Sequence, residues 1–472
     1  MKSTQRRGFL KAIGGLTASF AALPTLLAAQ GSGDGPSRAS GAKYMGDFAA
    51  PKLDKVKVAI IGVGARGSGH ASQLASIEGV DFVGICDINE NRVKRAEASV
   101  TKHGHTPKLY GKNEDDWKNM LAETKPDAVF VVTPWPLHAP MAIAAMKAGA
   151  HAFTEVPMAY TLKDLWDIID TSEATGRHCM MMENVNYGRE ELIYLNMVRQ
   201  GVLGELLHGE AAYLHPLREQ MENGDSTGSW RTFQYAKRNG NLYPTHGLGP
   251  VAQYMSLGRT EDTFARLVSF SSPAKGRAAY AKKSTKLSNP EFKNLDFKGG
   301  DLNTSIIKTA LGRTIMVQWD ETTPRPYSRH NLIMGVNGVL AGFPNRMSIE
   351  GITQDHSKGW AEDLEDANGK PIEGAQKWEE IASKYEHPYF KRMGELGKKM
   401  GGHGGMDFLM LYRIIECLRG GLPLDQNVYE GAFWSAVGPL TEASVAADGA
   451  PQAFPDFTRG GWKTTKPLAI IS

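Results

Sequence analysis

The run Val-Ala-Ile-Ile-Gly62-Val-Gly64-Ala65-Arg66-Gly67 places three glycines where an apolar stretch gives way to a helical one. Gly62 permits a tight turn, Gly64 lets the backbone approach a pyrophosphate, and Gly67 lets helix and strand pack closely. The first N–H groups of that helix lack intrahelical partners and attract phosphate. Asp87 closes the next apolar run, 20 residues beyond Gly67. A carboxylate there accepts hydrogen bonds from a ribose diol and repels a 2′-phosphate, so the pattern predicts a dinucleotide site that prefers NAD to NADP. Ligands of such sheets lie beyond the carboxyl ends of the strands. Three further segments fall there: Thr133-Pro134-Trp135-Pro136-Leu137-His138, Glu155-Val156-Pro157 and Glu183-Asn184-Val185-Asn186-Tyr187. Trp135 and His138 are candidates for the nicotinamide side of the cleft, although a Trp or His at a helix start more often packs or caps.

The elements that must position these residues are legible as a change of period. Short apolar runs at Val56–Ile61, Phe82–Cys86, Lys108–Tyr110, Ala128–Val132, Ala152–Thr154 and Cys179–Met182 alternate with helical spacing at Glu90–His103, Leu137–Ala148 and Leu162–Thr175. Continuous apolar strands separated by helices predict an α/β fold, with a doubly wound parallel sheet of Rossmann type over residues 56–185. Beyond it, His208–His215, Leu267–Ser271, Ser305–Trp319 and Asn331–Val339 are longer and more alternating, followed by helices at Met406–Leu418 and Tyr429–Ala447. Residues 186–472 therefore read as an α+β domain with an open, largely antiparallel sheet, and 344–400 as an elaborated loop region. The segment His403-Gly-Gly-Met-Asp407 reads as the cap of the helix that begins near Met406.

Residues 1–29 read as a targeting segment: Arg6-Arg7-Gly8-Phe9-Leu10-Lys11, then a moderately apolar run broken by Gly14, Gly15 and Pro24, then Ala28-Ala29. This is a twin-arginine pattern and predicts export to the periplasm or cell surface. Residues 30–55, rich in Gly, Ser, Ala and Pro, read as a flexible linker. The formal charge of +3 comes from the leader; without residues 1–29 the chain has 50 basic and 51 acidic residues. So neutral a surface offers no footprint for nucleic acid or, after export, for an anionic membrane. Cys86, Cys179 and Cys417 lie far apart, which supports neither a disulfide scaffold nor a metal site. An open sheet with an exposed face predicts self-association, most simply a homodimer.

The segment Lys-Ala-Gly-Ala-His-Ala-Phe-Thr-Glu155-Val156-Pro157 resembles the signature of the Gfo/Idh/MocA oxidoreductase superfamily, which normally ends Glu-Lys-Pro. In that family the lysine assists oxidation of a substrate hydroxyl; Val156 cannot transfer a proton. Together with Glu183–Arg189, Asn241-Leu242-Tyr243-Pro244-Thr245-His246-Gly247 and Gly401–Asp407, this departure resembles glycoside hydrolase family 109, whose best-known activity is α-N-acetylgalactosaminidase. The resemblance implies one tightly bound NAD per chain. It assigns cofactor contacts to Ala65, Arg66, Asp87, Trp135–His138, Glu155, Val156 and Asn184, beside the Gly62, Gly64 and Gly67 turn. The sugar contacts it implies are Tyr213, Arg231, Tyr243, His246 and Tyr327.

The chemistry implied is a redox-assisted elimination. Oxidation at C3 of a terminal sugar acidifies the C2 proton; a base removes it and the C1 substituent leaves. Water then adds at C1 and the hydride returns to C3. His246 suits the C3 hydroxyl, since imidazole titrates near neutrality, and Tyr187 or Tyr243 the C2 proton. Arg231 would fix the sugar, while Tyr213 and Tyr327 offer aromatic faces. Internal return of the hydride suits a compartment without a dependable NAD supply. It also suits a chain in which no paired catalytic carboxylates are evident. The rival expectations are an exported sugar oxidoreductase of the same superfamily that retains its NAD(P), and a non-catalytic protein with structural NAD.

Overall fold

The computed structural model describes residues 36–353, 359–362, 366, 368, 370 and 377–471. The expected leader lies outside them. In the first half β1 (Val56–Ile61), α1 (Ala65–Ala75), β2 (Val80–Cys86), α2 (Glu90–Thr101), β3 (Lys108–Tyr110), α3 (Asp116–Thr124) and β4 (Ala128–Val131) are followed by α4 (His138–Lys147), β5 (His151–Thr154), α5 (Leu162–Thr175) and β6 (Cys179–Met181). The strands form one parallel sheet in the order β3-β2-β1-β4-β5-β6. β4, β5 and β6 are buried at every residue, as strands covered on both faces must be. Local signals fix the helix ends: Asn89 accepts from the N–H groups of Asn91 and Arg92 to open α2, and Gly176, at φ +59°, closes α5. The strand order reverses between β1 and β4, and a crevice must open there.

The second half contains α6 (Arg189–Arg199), β7 (Leu206–Leu214), α7 (Gly228–Lys237), α8 (Thr245–Tyr254), β8 (Phe264–Ser271), α9 (Gly276–Lys283), β9 (Asn303–Thr309) and β10 (Thr314–Asp320). It continues through β11 (Leu332–Gly335), β12 (Gly338–Ala341), β13 (Arg346–Ile349), β14 (Ala361–Glu362), α10 (Lys377–Ala382), α11 (Pro388–Met400), α12 (Met406–Gly420), α13 (Val428–Ala446) and β15 (Gln452–Ala453). These strands form a mixed sheet, β14-β13-β12-β11-β7-β10-β9-β8-β15, antiparallel throughout except for the β7–β10 pair. Helices α8 and α13 cover one face. The other leaves Phe270, Ile306 and Met334 exposed.

Four expectations are corrected. Ser305–Trp319 is a hairpin rather than one strand: Gly312, at φ +89°, turns the chain between β9 and β10, while apolar Ala310 and Leu311 in the turn carry the pattern through it. Asn331–Val339 is likewise two strands, β11 and β12. Within 344–400, α11 is a regular helix opened by Pro388 and by the His387 ring, which accepts from the Tyr389 N–H; its buried residues Tyr389, Met393, Gly394 and Gly397 share one face at helical spacing, so the segment is amphipathic rather than loop. Residues 36–55 are not a free tether. Tyr44 stacks on Tyr429 at 5.1 Å, the Met45 N–H donates to the Tyr429 hydroxyl, and Met45 is buried, so anchors set among small residues dock this segment.

The two sheets also share helices. Phe408, Leu411 and Ile415 of α12 pack with Val58, Ile60 and Phe82 of the first sheet, and α13 packs on α5 as well as on β8. Part of the chain expected to form a separate second domain therefore completes the first one's core, and carries Asp407 to the mouth of the crevice.

Candidate active site

A cavity of about 980 Å³ lies at the β1–β4 crevice, walled on one side by the first sheet's strand ends and on the other by β7, α7 and α8. On the first wall, Gly62 has φ +91°, and a Cβ there would lie 2.3 Å from the Val132 carbonyl oxygen. A Cβ on Gly67 would lie 1.9 Å from the Gly62 oxygen, so both must be glycine for strand and helix to meet. Gly64 caps α1 without a side-chain hydrogen bond, which leaves the N–H groups of the first turn facing the cavity. Asp87, buried at its edge, accepts from the N–H groups of Val63 and Asn89 at 2.8 and 2.9 Å and so fixes the loop it borders. Glycine cradle, free helix start and acidic edge, within a cavity of this size, fit NAD.

The expected cofactor contacts are tied into one polar chain. Glu155 accepts from Arg66 Nε at 2.9 Å and lies 2.7 Å from His70 Nε2. Burial alone would raise the Glu155 carboxyl; the Arg66 charge and the His70 hydrogen bond outweigh it and hold it well below the usual carboxylate range. Arg66 also donates twice to Asp407, which in turn accepts from Asn184 Nδ2 at 2.7 Å. The His403–Asp407 segment caps α12 as expected, with Gly405 as the N-cap and Asp407 in the first turn, and the Asp407 carboxylate is turned to Arg66 and His403. His138 is spent on structure, its ring nitrogens each 2.8 Å from a backbone oxygen, those of Pro157 and Thr133. Val156 lines the cavity and is 2% exposed, so the position usually held by lysine presents only methyl groups.

The opposite wall is aromatic. Tyr213 is the last residue but one of β7, with its ring 5.0 Å from Tyr243 and 5.2 Å from His246. Trp135 stacks over Tyr243 at 6.1 Å. The Arg231 guanidinium, on α7, lies 4.5 Å from the Tyr243 ring centroid and donates to its hydroxyl at 3.3 Å. Burial pushes the Tyr243 phenol up to about 12, with Arg231 opposing it, so Tyr243 rests protonated. His246 occupies the first turn of α8 with Nδ1 2.6 Å from Glu183 Oε1.

The structure thus gathers Arg66, Asp87, Trp135, His138, Glu155, Val156, Asn184, Tyr213, Arg231, Tyr243 and His246 around one cavity. Gly67 and Pro136 are not among the lining residues, and two residues expected on the sugar side lie elsewhere. Tyr187 is buried with its hydroxyl on Asp425, 3.1 Å away, in the core between α11 and α12, because the turn Asn184–Tyr187 curls it behind the cavity wall. Tyr327 stands at the rim, over the His215 ring at 4.9 Å, rather than in the lining. Nothing in the sequence singles out Glu183, His215 or Trp230, and His403 reads there only as part of a helix cap. Glu183 stood in a segment placed at the strand ends, but nothing in spacing pairs it with a histidine 63 positions on.

Residues 187–464 match the family model described as glycosyl hydrolase 109, C-terminal domain, and residues 56–183 match the oxidoreductase family, NAD-binding Rossmann fold. Glycosyl hydrolase family 109 protein 1 of Akkermansia muciniphila is 60% identical over 438 residues, 92% of this chain and 89% of that protein. A family 109 protein of Shewanella amazonensis is 52% identical over the full length of both. Among solved structures, an inositol dehydrogenase homologue from Azotobacter vinelandii complexed with NAD⁺ superposes at a TM-score of 0.59 with 16% identity, over 86% of this chain and 99% of that one. Scyllo-inositol dehydrogenase from Lactobacillus casei, bound to NAD(H) and scyllo-inositol, gives 0.57 with 12% identity, over 84% and 99%. At such identities these two establish the fold alone. Full-length identity above one half, with both family models laid end to end across the cavity, settles the assignment: the chain belongs to glycosyl hydrolase family 109, on an NAD-binding Gfo/Idh/MocA-type fold.

Proposed function

We propose that the protein hydrolyses a terminal α-N-acetylgalactosaminide or a closely related glycoside by oxidation at C3, elimination across C1–C2, addition of water and re-reduction. The observation that supports this reading is the placement of His246 and Tyr243 across one cavity from the glycine cradle, with Val156 where a dehydrogenase lysine would stand. When bound, NAD⁺ supplies the oxidant at C3 and the same hydride for the final reduction, so one retained molecule suffices.

His246 accepts the proton of the 3-hydroxyl and returns it on reduction. Tyr243 serves the C2 proton. Because it rests protonated, it first gives its own proton to water in the cavity, with Arg231 at 3.3 Å stabilising the phenolate. The C2 proton it then takes up goes to the departing glycosidic oxygen. The electrons of the C2–H bond form the C1–C2 double bond as the C1–O bond breaks. Water then adds at C1, with its proton passing to C2. Tyr213 and Trp135 supply apolar walls that hold the ring and exclude bulk water. The reading also places the protein in the periplasm or at the cell surface, exported with its NAD by the twin-arginine route. It further has the exposed sheet face, with Phe270, Ile306 and Met334, pairing with a second copy.

The test is hydrolysis of p-nitrophenyl α-N-acetylgalactosaminide in D₂O by protein of measured NAD content. Nitrophenol release with deuterium at C2 of the sugar is the expected result. Release without deuterium removes the elimination route. No release, with a free sugar reducing the bound NAD⁺, assigns the site to a sugar oxidoreductase instead.

A further inference from the structure

Beneath His246 lies a carboxylate that none of the steps above has used. Glu183 is fully buried. Its Oε1 lies 2.6 Å from His246 Nδ1 and accepts from the Val185 N–H at 3.1 Å, while Oε2 has no protein partner among the described residues. Two elements are shaped to bring the pair together. Residues 184–187 form a 3-10 turn that Glu183 itself caps, which fixes its side chain at the end of β6. Above it, α8 carries Gly249 one turn beyond His246. A Cβ on Gly249 would lie 2.9 Å from Glu183 Cγ and 3.1 Å from Asn186 Oδ1, so only glycine lets α8 settle onto the glutamate.

The chemistry of the contact is one-directional. An ionised carboxylate only accepts, so the 2.6 Å contact requires His246 Nδ1 to carry a proton. In a neutral imidazole the basic nitrogen is then Nε2, which has no partner among the described residues while the ring lines the cavity. The geometry points to Glu183 as the positioning residue that holds His246 in its Nδ1–H tautomer, presents Nε2 to the sugar hydroxyl and stabilises the imidazolium formed as the proton arrives. Other groups around the ring, Tyr213 and Tyr243, have their centroids at 5.2 and 5.0 Å and bring no permanent charge. A buried anion against the far nitrogen is the same device that a buried aspartate provides to the histidine of serine proteases.

This inference rests on the proton-accepting role proposed for His246, and its experiment separates the two. In ¹⁵N-labelled wild-type holoprotein at neutral pH, His246 is expected to show a protonated, hydrogen-bonded Nδ1 and an unprotonated Nε2. A protonated Nε2 with bare Nδ1 would overturn the inference whatever the substrate. Glu183→Ala is expected to lose the single tautomer. Glu183→Gln keeps the acceptor and the volume but removes the charge; it is expected to lower kcat by about 10²–10³-fold with KM and NAD content unchanged. Gly249→Ala, which pushes Glu183 aside while leaving both residues intact, should reproduce part of that loss. Wild-type kcat in Glu183→Gln would sink the inference. If the wild type releases no sugar at all, the proposed function falls alone, and the tautomer still decides this one.

Discussion

Arg66 and Asp407 stand 341 positions apart in sequence and meet in a two-pronged ion pair, Nη1 to Oδ2 at 2.6 Å and Nη2 to Oδ1 at 2.9 Å. One residue opens α1 beside the glycine turn; the other lies in the first turn of α12. Burial alone would raise the Asp407 carboxyl, but the His403 hydrogen bond and the Arg66 charge hold it far below the usual range. Asp407→Asn leaves Arg66 with Glu155 as its remaining carboxylate partner among the described residues, beside the His403 ring, and breaking such a partly buried pair costs about 1–3 kcal/mol. The variant is expected to melt several degrees lower and to release NAD about tenfold faster on dialysis, followed by absorbance of the retained cofactor. Unchanged retention would show that the pair serves the fold only.

Arg92 and Asp225 make the opposite kind of contact. Their 2.6 Å pair joins α2 to the loop ahead of α7 beside the cofactor cradle, with the aspartate side chain 73% exposed. A pair so wet contributes little to stability. Asp225→Ala is therefore expected to move Tm by no more than about 2 °C while speeding NAD exchange a few-fold, as added salt should in the wild type. A melting loss as large as that of Asp407→Asn would contradict this division of labour.

Tyr187 and Tyr243 separate the two tyrosines that sequence alone leaves as equal candidates for the C2 proton. Tyr187→Phe removes a buried hydrogen bond to Asp425 and should lower stability by about 1 kcal/mol. Its kcat should stay within about threefold of wild type, since the hydroxyl faces away from the cavity. Tyr243→Phe should lower kcat by about 10²–10⁴-fold and leave the fold intact. Initial rates on the aryl glycoside, beside melting curves, would show whether the contrast holds.

Why the glycine turn is legible and the direction of Tyr187 is not follows from what each signal encodes. The Gly62-x-Gly64-x-x-Gly67 turn is a local pattern whose geometry is complete within six residues, and β1 and α5 begin and end where their apolar periods do. Tyr187 sits one 3-10 turn after a strand, where a rotation of about 120° per residue decides between cavity and core. No period reports that angle. The contacts to Asp407 and Glu183 span 341 and 63 positions and depend on how α12 and α8 settle on the first sheet. Residues 36–55 misled for a related reason: their composition is that of a linker, while three anchors, Tyr44, Met45 and Phe48, set their fate.

Acid stability offers a test away from the cavity, at the start of β5 and beside β6. His151 and His178 are buried with ring centroids 5.0 Å apart, and the His178 N–H donates to His151 Nδ1 at 3.0 Å. Burial, reinforced by the Arg177 charge, lowers the His151 imidazole to about 4; burial and the neighbouring His151 lower His178 to about 3. Both folded values lie below the 6.5 of an unperturbed histidine, so between them the unfolded chain binds more protons than the folded one. The stability these residues confer is complete above about pH 6.5 and is lost as pH falls toward 4 and then 3, by up to about 3 kcal/mol for His151. His178→Phe keeps a ring against Phe48 and removes one of the two titrations. Melting curves from pH 7.5 to 4 should therefore show a shallower fall in Tm for the variant. An identical slope in both proteins would mean that acid lability arises at other groups.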